Sequence, residues 1–373
     1  MGLNASALPD FPWDSLVPFI ERASAHPDGA LNLSVGTPVD STPAVIRDAF
    51  VAAADAPGYP ATHGTSALRE AVVAWFERRR SVTGVDPMSV LPTVGSKEMV
   101  ALLPSLLGLG AGDVVVHPAV AYPTYDVGAR LAGATPLGAD DVAAWAGNAS
   151  VKLIWVNSPS NPTGAVKSVE ELRTIVEAAR AIGAIVASDE CYAELAWESP
   201  WTDDGVPSIL DPRVCEGHHE GLLSVYSLSK QSNLAGYRAA FVAGDTEVVA
   251  SLLEARKHIG MIMPAPVQAA MVAALGNDAH VAAQRDVYRA RRELLAGALV
   301  SAGFTIDDSV AGLYLWATRG EDAWASVSWF ADRGVIVAPG TFYGPQGARH
   351  VRVALTATDE HIAAAARRLV NEQ

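Results

Sequence analysis

Lys230 closes the stretch LLSVYSLSK, and its neighbours in the sequence are not those of an ordinary surface lysine. Ser227, Ser229 and Arg238 lie close to it in the chain. Hydroxyls, backbone N–H groups and guanidinium are the groups that hold a phosphate. Gly95–Ser96–Lys97 precedes an apolar helical run, Met99–Leu107, so free N–H groups at a helix start offer a second seat of that kind. Asp189 and Tyr192 follow another apolar run, and Asn161 follows a third. The set comprises an amine able to form a Schiff base, an acid able to keep a ring nitrogen protonated, and a phosphate seat. These are the requirements of pyridoxal 5′-phosphate (PLP) chemistry.

The elements that must position these groups are legible. Val114–His117, Leu153–Asn157, Ala184–Asp189, Leu222–Ser227 and Ala239–Ala243 are short, β-branched runs flanked by turn residues. Runs apolar on both faces predict buried strands of a mostly parallel sheet. Ser168–Ile182 predicts a helix, with Ser168 and Glu171 as a capping box and Gly183 as the stop. Alternating strand and helix gives a doubly wound α/β domain, whose ligands sit at the carboxyl ends of the strands. Asn161, Asp189, Tyr192, Ser229 and Lys230 all follow strands, so one crevice should collect them. From about Val281 to Leu299 the chain predicts a long amphipathic helix. Gly312–Ala317, a helix ending near Arg333, Val335–Ala338, His350–Leu355 and a terminal helix then suggest a smaller α+β domain. The expected division is a large domain over 40–275 and a small one from 1–39 plus 276–373, with the Pro-punctuated N-terminal segment packed on it.

Composition narrows the field. The 373 residues suffice for two packed domains, and half of them are hydrophobic. A net charge of −14 opposes binding to nucleic acid or an anionic membrane surface. No apolar stretch approaches the ~20 residues of a membrane span. The N-terminal MGLNASALPDFPWDSL has no basic segment followed by an apolar run, so no signal peptide is expected. Cys191 and Cys215 cannot build a disulfide framework, which fits reduced thiols in the cytoplasm. His218 and His219 adjoin in a polar loop without a third ligand, and no metal is expected. A dinucleotide-binding enzyme would need G-x-G-x-x-G after its first strand, and none is present.

SLSKQSNLAGYRAAFVAG (227–244) resembles the lysine signature of the class I/II aminotransferases of fold type I. NSPSNPTG (157–164), SDECY (188–192), YPATHGTSALREAV (59–72) and HVRVAL (350–355) match further motifs of that family in the family's order. The resemblance runs from about Leu33 to the C-terminus. It implies that Lys230 holds PLP as a Schiff base and carries the proton between substrate Cα and cofactor. Asp189 would face the pyridine nitrogen. Tyr192 and Asn161 would bond the cofactor's phenolic oxygen, lowering the imine pKa. Gly95, Ser96, Lys97, Ser227, Ser229 and Arg238 would seat the phosphate, with Ser96 and Lys97 acting mainly through backbone. Tyr59 would reach the phosphate of a neighbouring subunit, which implies a homodimer. HPAVAYPTY is slightly longer than the family's pattern. Its YP dipeptide points to Tyr122 as the aromatic stacked on the ring, with Tyr125 the alternative. Arg352 would clamp the substrate α-carboxylate, a task suited to guanidinium geometry, with Gly36 beside it. Trp13 is either a packing anchor or part of a flap.

Within the family, FPWDSL, PGYPATHGT, RKHIGMIMPAPVQAAMVAAL and VAPGTFYGPQGARHVRVALTATDE resemble the actinobacterial succinyldiaminopimelate transaminases of lysine biosynthesis. That resemblance implies amino transfer between N-succinyl-LL-2,6-diaminopimelate and 2-oxoglutarate. The alternatives are aspartate, aromatic or branched-chain aminotransferases, or a PLP-dependent lyase of the same fold. A PLP-binding DNA regulator would need a further domain, for which this chain has no room.

Overall fold

The computed structural model describes residues 8–370; the first seven residues of the N-terminal stretch read for a signal peptide lie outside them. A short strand, β1 (Leu31–Asn32), comes first. The large sheet then contains β2 (Val90–Val94), β3 (Val114–His117), β4 (Thr135–Gly138), β5 (Val151–Asn157), β6 (Ile185–Asp189), β7 (Leu222–Ser227) and β8 (Ala239–Gly244). Its spatial order is β2-β8-β7-β6-β5-β3-β4. Neighbours pair in parallel except around β8, which runs antiparallel to both β2 and β7. Ala239–Ala243 is thus a strand as expected, but a reversed one.

The reversal determines what reaches the ligand edge. Because β8 is inverted, its amino end lies beside the carboxyl ends of β5, β6 and β7. Arg238, just before β8, therefore arrives at the same edge as Asn157, Asp189 and Ser227. β2 is antiparallel to β8 and so ends at that edge too, delivering Gly95–Ser96–Lys97.

Both faces of the sheet are buried. Ile154, Val156, Val186 and Phe241 face one apolar layer, while Leu153, Trp155, Ala187 and Val242 face the other. This period-of-two partition between two covered faces explains the unbroken apolar runs. Helix Val169–Ile182 carries the expected Ser168–Glu171 capping box and stops at left-handed Gly183. β2 and the edge strand β4 escape the apolar-run criterion. Each contains a proline, and β4 is only half-buried.

A second sheet combines β9 (Thr305–Asp307), β10 (Tyr314–Thr318), β12 (Ala338–Pro339) and β13 (Val351–Ala354) in the order β12-β13-β10-β9. β11 (Val335–Ile336) pairs in parallel with β1. The single strand expected over 335–338 is thus two short ones serving different sheets. A 24-residue helix, Asp278–Ser301, packs on the terminal helix Asp359–Val370. Helix Val17–Ser24 packs on helix Ala323–Asp332. Leu16, Leu31, Leu33, Leu315, Phe330 and Val353 share the core between these elements. Among the described residues no helix is long and apolar enough to cross a membrane.

Candidate active site

The carboxyl edge of the large sheet opens into a cavity of about 750 Å³. Lys230, Asp189, Tyr192, Asn161, Ser227, Ser229 and Arg238 line it, as do Ser96, Lys97, Tyr122, Gly36 and Arg352. Two residues of the sequence-derived set do not. Gly95 lies behind Arg238, and Tyr59 stands fully in solvent away from this chain's own cavity.

Asp189 ends β6 and is buried. Its Oδ2 accepts the Tyr125 hydroxyl at 2.9 Å, and its Oδ1 accepts the Cys191 N–H at 3.2 Å. Burial pushes its carboxyl above the ordinary aspartate value, although bonds from Cys191 and Tyr125 pull it back. No cation forms an ion pair with it among the described residues. Burial also drives Tyr125 well above the usual tyrosine range, so Tyr125 remains a neutral donor.

That bond sets the two tyrosines apart. Tyr125 is fully buried against Trp155, with centroids 5.2 Å apart, and its hydroxyl is committed to Asp189. Tyr122 is half-buried and lines the cavity beside it, edge-on to Tyr125 at 6.2 Å. From the sequence Tyr125 is only the alternative stacking aromatic; its bond to Asp189, 64 residues away, was not legible there.

The phosphate-type donors cluster. Helix Ser96–Leu106 starts at Gly95, which has no side-chain cap, so its first N–H groups remain available. Gly95 adopts φ +78, and a Cβ there would lie 2.0 Å from Arg238 Nη2. The guanidinium therefore rests against a bare Cα that only glycine supplies. Ser227 Oγ donates to Ser229 Oγ at 2.8 Å on the short turn that carries Lys230. Lys97 Nζ lies 5.8 Å from the Tyr122 ring centroid, so its side chain, as well as its backbone, faces the site. Lys230 Nζ donates to the Gly36 carbonyl.

The opposite wall comes from the second sheet. Arg352 on β13 is buried, and its Nη1 donates to Asn161 Oδ1 at 2.8 Å, tying the two sheets together. Nη2 donates to the Ser34 carbonyl at 2.7 Å, and Nε has no partner. The guanidinium lies between the Tyr314 ring, 3.9 Å away, and the Tyr343 ring, 4.9 Å away. No carboxylate pairs with it among the described residues. Trp13 lines the same cavity and packs on Phe342 at 5.1 Å, so it joins the wall and the core at once.

The chain matches the family described as aminotransferase class I and II over residues 28–369. It is 58% identical to the 4-dedimethylamino-4-oxo-anhydrotetracycline transaminase of Streptomyces rimosus, covering 97% of this chain and 99% of that one. Identity to a probable aminotransferase of Mycobacterium tuberculosis is also 58%, over 99% of this chain and 86% of the relative. Among solved structures, a probable N-succinyldiaminopimelate aminotransferase from Thermus thermophilus superposes with TM-score 0.86 at 29% identity, covering 96% of this chain and 99% of that one. The chain belongs to the class I/II aminotransferases and has their fold type I architecture. That family depends on PLP, so PLP is its cofactor.

The residues present fit that cofactor. A lysine amine, a buried acid without a cation, an uncapped helix start, two serine hydroxyls and a guanidinium seated on glycine surround one cavity. The donors suit a phosphate, and the unpaired acid suits a protonated ring nitrogen.

Proposed function

We propose that the chain transfers the amino group of N-succinyl-LL-2,6-diaminopimelate to 2-oxoglutarate, in two half-reactions. The observation that carries an amino-acid substrate is Arg352, a buried guanidinium without a carboxylate, beside the lysine and acid of the cofactor site. A charge buried in this way is costly unless a ligand completes it. The substrate α-carboxylate is that ligand, gripped in the bidentate manner guanidinium favours.

The chemistry that PLP supplies when bound is an aldehyde that takes the amino group and a ring that accepts the electron pair left at Cα. Lys230 Nζ would hold PLP through its aldehyde and, once free, would be the base that moves the substrate Cα proton. Asp189 keeps the ring nitrogen protonated. Tyr192 and Asn161 donate to the phenolic oxygen; with Asn161 Oδ1 engaged by Arg352, the amide nitrogen is left as the donor. Ser96, Lys97, Ser227, Ser229 and Arg238 hold the phosphate. Tyr122 stacks on the ring.

Three observations support a long, acidic substrate. The likeness to the Thermus enzyme spans nearly the whole chain. The cavity adjoins a second of about 950 Å³ that shares Phe11, Tyr122 and Pro123. Lys97 turns an ammonium toward the first cavity without a carboxylate partner among the described residues, which suits a distal carboxylate. On this reading 40–275 is the cofactor-binding lobe, and 1–39 plus 276–373 bring Arg352. Tyr59, wholly exposed, suits contact with a partner subunit's phosphate site in a homodimer. Both cysteines are free and buried, which suits the cytoplasm.

A second reading rests on the 58% identity to the Streptomyces transaminase: a polycyclic 4-oxo-anhydrotetracycline acceptor. The test is turnover by PLP-loaded enzyme, with glutamate formation from 2-oxoglutarate as the readout. The proposal predicts that N-succinyl-LL-2,6-diaminopimelate is preferred over aspartate and over aromatic amino acids. Strong preference for one of those, or for the tetracycline intermediate with an amino donor, would refute the substrate assignment.

A further inference from the structure

Tyr314 belongs to none of the motifs above, yet it touches both walls of the site. On β10 it lies between Leu313 and Leu315, both fully buried, and is itself buried. Its ring forms the shelf under Arg352 at 3.9 Å. Its hydroxyl lies 3.3 Å from the Tyr192 hydroxyl. A Cβ at Gly36 would come within 2.0 Å of that same oxygen, so the hydroxyl rests on the bare Gly36 Cα.

We propose that Tyr314 is a positioning residue whose hydroxyl donates to Tyr192 and so turns the single Tyr192 proton toward the cofactor's phenolic oxygen. The inference rests on the role given to Tyr192 above. A phenol has one hydrogen to donate. When Tyr192 spends it on the cofactor oxygen, the contact with Tyr314 is satisfied only if Tyr314 donates. A donor behind Tyr192 polarises its hydroxyl and strengthens the forward bond.

The two hydroxyls are electrostatically unequal. Burial alone would raise Tyr314, but Arg352, Lys230 and the Tyr192 hydrogen bond outweigh it and hold it below the ordinary tyrosine value. Burial and then Tyr314 push Tyr192 well above that value, so Tyr192 stays a neutral donor. The other titratable groups facing the pair are Asp189, Tyr343 and Tyr288; burial pushes both of these tyrosines up, so they remain neutral.

Tyr314→Phe removes the hydroxyl and keeps the shelf. A stronger bond to the ionised phenolic oxygen lowers the pH at which the visible absorbance of the loaded enzyme changes. The variant should therefore move that midpoint upward by roughly 0.5–1 pH unit. Its Kd for PLP, from fluorescence titration, should rise a few-fold. The KM for the amino acid should change little, because Arg352 keeps its support. In a Tyr192→Phe background the same substitution should add no further shift, since the two act as one unit. An unmoved midpoint in Tyr314→Phe, or an undiminished shift without the Tyr192 hydroxyl, overturns the inference. Lys230→Ala separates the failures. If the visible band survives that change, the site reading falls and this inference with it. If the band is lost while Tyr314→Phe is silent, only this inference falls.

Discussion

Asp189 and Glu190 are chain neighbours at the end of one strand, and both are buried, yet they belong to opposite kinds of environment. Glu190 pairs with buried Arg80 at 3.0 Å and also accepts from Ser208 Oγ at 3.0 Å and the Ile209 N–H at 2.8 Å. Arg80 in turn lies over the Trp75 and Tyr226 rings, 5.7 Å and 6.0 Å from their centroids. Those two charges meet each other within the chain, although Arg80 Nη1 has no partner among the described residues. On the cavity side, among the described residues, Asp189 has no cation, and Arg352, close to two tyrosine rings as Arg80 is to two aromatics, has no carboxylate. One region uses buried charge to fix structure. The other leaves two buried ionisable groups of opposite sign unpaired, which on the proposed function are completed by a ring nitrogen and a carboxylate. Burial alone therefore does not mark function; burial without a partner does.

The contrast can be broken by four substitutions. Arg352→Gln should lower kcat/KM for the amino acid roughly 10²- to 10³-fold, while the apo protein keeps or raises its Tm, because an uncompensated charge is removed. Equal losses of stability and activity would place Arg352 in the structural class. Arg80→Gln should do the reverse. Leaving Glu190 buried and unpaired costs about 3–5 kcal/mol in denaturant unfolding, with KM nearly unchanged in the protein that remains folded.

Asp189→Asn sharpens the comparison through pH. Burial raises the folded-state pKa of Asp189 above its unfolded value. The stability linked to this group is therefore full below the unfolded carboxylate pKa and is lost as pH rises through the folded one. Apo Asp189→Asn should match wild type in acid and become the more stable of the two toward neutrality, by thermal melts across pH. The opposite trend would mean that Asp189 is stabilised as an anion by the chain alone. The smallest effect should come from Tyr125→Phe, which deletes one hydrogen bond to that carboxylate. About 1 kcal/mol is expected, read as a several-fold weaker Kd for PLP.

The two regions also differ in how far the sequence reveals them. Asn161, Asp189, Ser227 and Lys230 were legible because each follows an apolar run, and parallel strands bring their ends to one edge. The helix Val169–Ile182 was legible because its capping box is local. Arg238 was legible from its nearness to Lys230 after the run Leu222–Ser227, but it reaches the edge at the start of a reversed strand, which the sequence did not show. The contacts of Tyr125 with Asp189 and of Tyr314 with Tyr192 stayed hidden. Aromatic residues inside a helix or a buried strand carry a core pattern, and their hydroxyls acquire meaning only through partners 64 and 122 residues away. The Arg80–Glu190 pair was likewise invisible, since 110 residues separate its members.

The central claim is that Lys230 is the amine that holds the cofactor. Borohydride reduction of the PLP-loaded enzyme, followed by peptide mapping, tests it directly. The account predicts the reduced pyridoxyl group on the peptide containing Lys230 and on no other. Its appearance on Lys97, Lys152, Lys167 or Lys257, the remaining lysines of the chain, would contradict it.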